Sequence, residues 1–328
     1  MMINVDDPAR RPTMRQTAYL YDDIFLQHDT GSGHPERSER LTAIHRKMRS
    51  SPCFNNLLRV YADRPADIKQ VELTHRRDYI LRAQREIESG AAYFDSIDNT
   101  VCRQTFNVAL HAVGGCVAMC DIVMSGAAEN GFCVIRPPGH HAGESSAAGF
   151  CLFNNIAIAT RYVQRRYGAR KVGIVDWDVH HGNGTQDLFD YDKSVYYISL
   201  HQYPYYPGTG SEMECGLGEG IGYTLNVPMK SGAGDAEYLQ AFRRHVLPAI
   251  ESFRPDVLMI SAGFDAHRDD PISSINLSID MYYVFTQMLK NLARRYCGGR
   301  LIAILEGGYN TDVCAAGVER VITAMTEE

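Results

Sequence analysis

Short, nearly unbroken apolar runs recur along the chain, and each runs into residues of a different kind. Val172-Gly173-Ile174-Val175 leads to Asp176-Trp177-Asp178-Val179-His180-His181-Gly182-Asn183-Gly184. Phe132-Cys133-Val134-Ile135 leads through Arg136-Pro137-Pro138-Gly139 to His140-His141. The run at 195–200 ends on His201, that at 255–264 on Asp265, and that at 301–308 on Tyr309. Apolar runs of this length predict strands buried on both faces, as in a parallel sheet. Elsewhere the period becomes helical. Residues 155–167 predict a helix ended by Gly168, and residues 280–296 predict another. Residues 236–253 place Leu239, Phe242, Val246, Ile250 and Phe253 at helical spacing, with Pro248 expected to kink the helix. Strands alternating with helices imply crossovers and a parallel sheet covered on both faces. Ligands of such sheets bind beyond the carboxyl ends of the strands, where all five polar tips fall.

The tips carry specific chemistry. Asp178 and His180 are two residues apart, so extended backbone points both the same way. An oxygen and a nitrogen ligand on one face suit zinc; a buried ion pair with a turn is the other reading of that pair alone. With Asp265 they form a set of three, which leaves one position open for water or substrate. Two carboxylates and one imidazole cancel a divalent charge, so bound water is acidified less than by three histidines, and a separate base is needed. His140 and His141, after a rigid proline turn, supply it: at close quarters only one is readily charged. Tyr309 follows Gly307-Gly308, a pair that permits close approach to a ligand, and its hydroxyl can donate to a developing oxyanion. The glycine-rich stretch 216–222 lacks the flanking strand and helix of a nucleotide-binding loop and reads as a plain loop.

Bulk properties narrow the picture further. The 328 residues show no linker, repeat or low-complexity stretch, so one catalytic domain is expected over 17–328, after an N-terminal extension at 1–16 without an apolar signal core. A net charge of -6 argues against direct nucleic-acid binding and leaves room for a cationic substrate. No apolar run approaches the length of a membrane span. Nine cysteines without CxxC pairs, among them Cys116, Cys120 and Cys133 in apolar contexts, point to reduced core thiols and a cytoplasmic setting.

Taken together, the motifs resemble the zinc-dependent histone deacetylase family, with its bacterial amidohydrolase members. The resemblance runs from His34-Pro35-Glu36-Arg37 through 136–141, Gly149-Phe150-Cys151, 176–184, Pro207-Gly208-Thr209-Gly210 and 261–265 to 306–309. The form of 176–184 is similar to the class II branch. The resemblance implies a three-layer α/β/α arginase-like fold around a mostly parallel eight-stranded sheet. It implies zinc on Asp178, His180 and Asp265, His140 and His141 as paired catalytic imidazoles with Asp176 orienting His140, His141 as general base and later general acid, and Tyr309 as transition-state donor. Asn183 stands beside His141 where some branches carry an aspartate. Structural potassium is implied near Asp176, Asp178, His180, Ser199 and Leu200, and at a second site at Phe189, Asp192, Val195 and Tyr223. Gly149, Phe150 and Tyr206 match the walls of a tunnel for an acyl-lysine stem, Gly308 is a further substrate-binding residue, and Arg37 matches a residue of an internal product channel. A rim aspartate is expected at Asp95 or Asp98; Asp98 is preferred because Asp98-Asn99-Thr100 is read as introducing the next helix.

The function implied is a zinc amidohydrolase deacylating Nε-acyl-lysine in proteins or peptides. The alternative substrate is an acetylpolyamine or other small acylated amine. Ile272, following Asp270-Pro271, lacks the acidic group that would hold a polyamine and tilts the balance to acyl-lysine. A ureohydrolase of the arginase kind needs two metals, and a mere acyl-lysine binding module would lack part of the set that is complete here. A homo-oligomer stays open.

Overall fold

The computed structural model describes residues 16–327, so the extension expected at 1–16 lies, apart from Gln16, outside the described residues. In chain order the strands are β1 (Thr17–Leu20), β2 (Leu58–Val60), β3 (Tyr93–Phe94), β4 (Ser96–Thr100), β5 (Asn130–Cys133), β6 (Val172–Asp176), β7 (Val195–Gln202), β8 (Thr224–Met229), β9 (Val257–Ala262) and β10 (Leu301–Leu305). The α-helices are α1 (Glu39–Ser50), α2 (Ile68–Val71), α3 (Arg77–Ser89), α4 (Thr105–Met124), α5 (Asn155–Tyr167), α6 (Asn183–Phe189), α7 (Asp235–Ala241), α8 (Leu247–Phe253), α9 (Ile279–Tyr296) and α10 (Thr311–Thr326).

Among the described residues, eight strands form one sheet in the order β2-β1-β5-β10-β9-β6-β7-β8, and every pairing in it is parallel. The five strands expected from the apolar runs are contiguous in it, so their tips meet. Strands β5, β6, β9 and β10 are buried at every position, as double cover by helices requires. Register sets Asp176 at the end of β6 between Ser199 of β7 and Ser261 of β9. A smaller core of Ile80, Phe94, Phe106, Phe153 and neighbours lies beneath the two-stranded β3-β4 ribbon and supports the loop that carries Phe150.

Three expectations are corrected. The helix over 236–253 is not regular. Phe242–Val246 forms a π-helical turn between α7 and α8, in which the N–H of Leu247 donates to the Phe242 carbonyl. Pro248 has no N–H for the carbonyl four residues back, and widening the turn before it removes that demand. Asp98-Asn99-Thr100 does not introduce a helix: it lies in β4, and α4 begins at Thr105. Lastly, α4 is long and apolar enough to cross a membrane by length and composition, with mean hydropathy 1.6. Its residues are mostly buried against the sheet and α5, and that cover on several sides is what its apolar composition serves.

The helix ends at Gly168 in a left-handed cap as expected. Residues 216–222 form a loop with a 3-10 turn at Gly218–Gly220. Cys116, Cys120 and Cys133 are buried free thiols.

Candidate active site

The Asp178–His180 loop leaves β6 with a backbone turned inward and is tied down by the carboxylates it presents. Asp178 N–H donates to Asp176 Oδ1 at 3.1 Å, His180 N–H to Asp178 Oδ1 at 2.9 Å, and Val179 N–H to Asp265 Oδ1 at 2.9 Å. Trp177 points the opposite way and is fully buried against Tyr282 and Phe285. Two glycines make room. A Cβ on Gly263 would collide with the Asp178 carboxylate, and one on Gly307 with those of both Asp265 and Asp178. Gly307 N–H instead donates to Asp178 Oδ2 at 2.8 Å.

Asp178, His180 and Asp265 can each offer one ligand atom, all within 4.8 Å of one another, and all three are buried. His180 Nδ1 lies 3.1 Å from Asp178 Oδ1 and 3.2 Å from Asp265 Oδ2. Asp265 Oδ2 is buried without a hydrogen bond of acceptable geometry. Burial and the charge of Asp178 push the Asp265 carboxyl up to about 7. Burial opposes charge on His180, yet the two carboxylates raise it to about 10. Two carboxylates this close demand a cation between them, and the donor set of two oxygens and an imidazole nitrogen fits a divalent metal.

His140 and His141 stand beside this triad with ring centroids 4.1 Å apart. Their surroundings set them in opposite states. His140 Nδ1 is 3.0 Å from Asp176 Oδ2, and its Nε2 is 3.8 Å from Asp178 Oδ1. Burial works against its charge, but Asp176, Asp178 and Glu306 raise it to about 10. His141 Nδ1 pairs at 2.8 Å with the neutral amide oxygen of Asn183. Burial and the positive His140 and His180 push it well below its ordinary value. Of this pair, the surroundings of His140 favour its charged form and those of His141 its neutral form.

Tyr309 is buried, with Phe150 edge-on at 5.8 Å and the Arg40 guanidinium over its ring at 5.2 Å. Phe150 adopts φ 69°, and Gly149 (φ 53°) leaves no space for a Cβ against the His141 ring. Tyr206 packs edge-on to His141 at 5.1 Å, while Tyr205 stacks on His180 at 5.7 Å. Aromatic rings thus flank the histidines and Tyr309, with Gly149 beneath. Ile272 is half-buried, and its carbonyl accepts at 2.7 Å from the hydroxyl of Tyr205, the ring stacked on His180.

The rim aspartates separate clearly. Asp95 is occupied: it accepts from Arg82 at 2.6 Å and from Ala147 N–H at 2.8 Å. Asp98 faces the Tyr206 hydroxyl, whose acidity burial and Asp98 both suppress. Asp98 is thus the aspartate beside the aromatic wall, for a reason other than the helix start first expected. Arg37 is half-buried at the approach to α1, whereas the guanidinium inside the protein beside Tyr309 belongs to Arg40. Arg40 donates to the Gly308 carbonyl at 2.6 Å and to Glu36 at 3.0 Å. Of the residues expected at the second potassium site, Phe189, Asp192 and Val195 share one turn, in which Asp192 N–H donates to Phe189 O and Val195 N–H to Asp192 O, while the Tyr223 carbonyl accepts from Tyr197 N–H. Near Asp176, the Ser199 hydroxyl contacts His201 Nδ1 at 2.9 Å.

Sequence reasoning left several participants without a role. Glu306 accepts from the backbone N–H groups of Gly139 (2.7 Å) and His140 (3.1 Å), fixing the histidine turn. Tyr197 donates to Asp176 Oδ2 at 3.0 Å. Asp270 accepts from Tyr309 N–H at 2.7 Å. Glu306 lies just past the end of β10, but Tyr197 lies within β7 and Asp270 in the loop beyond β9, and all three roles depend on partners distant in sequence.

Residues 34–325 match the histone deacetylase domain family. Histone deacetylase 15 of Arabidopsis thaliana is 40% identical over 320 residues, covering 95% of this chain and 57% of the relative. A protein named "Probable deacetylase" from Archaeoglobus fulgidus is 37% identical over 298 residues, covering 90% of this chain and 82% of the relative. The crystal structure of the HDA15 HD domain superposes with a TM-score of 0.90 at 39% identity, over 95% of this chain and 91% of that one. The chain spans little more than half the length of the Arabidopsis relative. Fold, site and matches define a hydrolase that deacetylates amides. The chain belongs to the histone deacetylase family.

Proposed function

We propose that this chain is a zinc-dependent amidohydrolase that deacylates Nε-acyl-lysine in peptides or proteins. The observation that carries the reading is the buried Asp178–His180–Asp265 triad set beside two histidines, one paired with the Asp176 carboxylate and the other with the neutral amide of Asn183. Zinc held by Asp178, His180 and Asp265 would supply Lewis-acid polarisation of the amide carbonyl and a more acidic water.

The protein's own groups do the rest. With the Nδ1 proton of His141 donated to Asn183 Oδ1, its Nε2 lone pair faces the site as general base. His140, held charged by Asp176, is the imidazolium that can pass a proton to the departing amine. The Tyr309 hydroxyl donates to the carbonyl oxygen as negative charge gathers there. Gly149, Phe150 and Tyr206 admit a slender alkyl stem, and Asp98 holds the backbone of a peptide at the rim. Structural potassium is proposed near Asp176, Asp178, His180, Ser199 and Leu200. A second potassium is proposed on the carbonyl cluster of Phe189, Asp192, Val195 and Tyr223, where each carbonyl engaged by one N–H keeps a further lone pair. The buried single thiols support a reducing compartment such as the cytoplasm.

Acyl-lysine is favoured over acetylpolyamine because Ile272 offers the rim an apolar side chain and a carbonyl already engaged by Tyr205. Two measurements test the reading. Metal analysis of the purified chain is expected to give one zinc per chain, and two active-site metals of equal occupancy would overturn it. In a side-by-side panel, acetyl-lysine peptides are expected to turn over with higher kcat/KM than acetylpolyamines; the reverse order would assign the chain to small amines.

A further inference from the structure

We infer that Asp270 is a positioning residue for catalysis: it holds the backbone of Tyr309 and ties it to the rim loop that carries Ile272. The inference rests on the role proposed for the Tyr309 hydroxyl. Asp270 is buried, 6% exposed, and its carboxylate gathers three backbone donors. Oδ2 accepts from Tyr309 N–H at 2.7 Å and from Asn310 N–H at 3.2 Å; Oδ1 accepts from Ile272 N–H at 3.1 Å. The Asn310 side chain returns a bond to the Asp269 carbonyl at 3.0 Å.

The connection extends in both directions. Outward, the Ile272 carbonyl accepts from Tyr205, and the Tyr205 ring stacks on His180 of the metal triad. Ser273, on the same loop, donates to the Asp265 carbonyl at 2.5 Å. Inward, Gly308 takes φ 117°, and its carbonyl is held by Arg40. The peptide that places Tyr309 is therefore clamped from one side by Arg40 and from the other by Asp270. Asn310 caps α10, so the carboxylate also faces the positive end of a sixteen-residue helix.

A carboxylate suits this place better than its amide. Four lone-pair sites accept three N–H groups, whereas an asparagine keeps one oxygen and turns an NH2 toward N–H groups it cannot accept. The misplaced donors would let the Tyr309 peptide shift. Because an oxyanion donor works through its position, an ångström-scale shift can lower the rate about a hundredfold.

The test is a cycle of four zinc-loaded proteins: parent, Asp270→Asn, Tyr309→Phe and the double variant. It reads kcat and KM on an acetyl-lysine peptide, zinc content and affinity for an alkyl hydroxamate. Asp270→Asn is expected to lower kcat about tenfold to a hundredfold with KM nearly unchanged and zinc retained. In the Tyr309→Phe background the same substitution is expected to change kcat by less than about twofold, because there is no hydroxyl left to position. An unchanged kcat in Asp270→Asn, or the same loss in both backgrounds, overturns the inference. If Asp270→Asn does not fold, Tyr205→Phe replaces it in the cycle, since it removes the hydroxyl from the Ile272 carbonyl at the far end of the loop. A smaller fall in kcat is expected there, again absent without the Tyr309 hydroxyl; no fall, or an additive one, overturns the inference. A fully active Tyr309→Phe would instead sink the reading on which it rests.

Discussion

Single atoms decide this centre. Gly307 has no unusual φ, so its requirement is space alone: a methyl group there would enter the volume of the Asp265 and Asp178 carboxylates. Gly307→Ala is expected to fold but to bind zinc poorly, with deacylation falling to background; a variant with full zinc content and near-parent turnover would show that the carboxylates have slack. Tyr309 tests a different property. Its hydroxyl acts only once charge develops, so Tyr309→Phe should lower kcat about 100- to 1,000-fold while leaving KM and hydroxamate affinity nearly unchanged. Steady-state kinetics with zinc content checked will show whether the loss falls on kcat or on KM.

Among elements, the loop from Gly139 to Asn154 is held by side chains outside the chemistry. Asn154 caps α5 by accepting from Ala157 N–H, and its own N–H donates to His75 Nε2 at 2.9 Å. His75 packs against Tyr79 and Phe153, and burial lowers it to about 4. An unfolded imidazole titrates near 6.5, so between these values the unfolded chain binds the extra proton. Stability from His75 is therefore complete above about pH 6.5 and is lost as pH falls toward 4, by at most about 3 kcal/mol. Melting temperatures from pH 8 to 4 are expected to fall less steeply for His75→Gln, which can still accept the Asn154 N–H; identical slopes would show that other groups set the acid limit.

At the scale of the whole molecule, one buried charge cluster joins segments far apart in sequence. Glu36 is shared by Arg136 and Arg40, all three fully buried, and His28 lies 3.5 Å away. Arg136 comes from the segment after β5 and also donates to the carbonyls of Phe25 and His28. Arg40 reaches the carbonyls of Glu306 and Gly308 beyond β10. The cluster therefore fixes the start of α1 against the strand tips that form the site. Burial disfavours the Glu36 charge, but the two guanidiniums hold its carboxyl down at about 2. Glu36→Ala would leave two buried cations facing each other and is expected to destabilise the fold by roughly 3–5 kcal/mol. Denaturant unfolding would measure it, and a loss below about 1 kcal/mol would show that the cluster is solvated or redundant.

Much of this was written in local patterns, because the physics there is local. A strand buried on both faces must be apolar along its length, so residues 172–175 and 301–305 announced themselves, and the polar residues after them had to be the tips. Asp178 and His180 were legible as a candidate pair, but they converge through a bend in which His180 N–H turns back to Asp178 Oδ1, not through the extended backbone expected. Helix 155–167 was legible through its period and the left-handed Gly168 cap. What lay beyond reach depended on partners far along the chain. Asp98 and Asp95 look alike in sequence; Arg82 and Ala147 claim one, while Tyr206 meets the other. Arg37 and Arg40 are one helical turn apart, and only the packing of α1 against α10 shows that the inward guanidinium is Arg40. Asp270 read as part of an Asp-Pro turn, because no spacing rule relates it to an N–H at Tyr309. Sequence by itself determined which residues could do chemistry and at which end of the sheet. Tertiary structure decided which imidazole meets a carboxylate and which an amide, which aspartate faces the aromatic wall and what holds the tyrosine, because each depends on through-space distance to groups that only folding brings near.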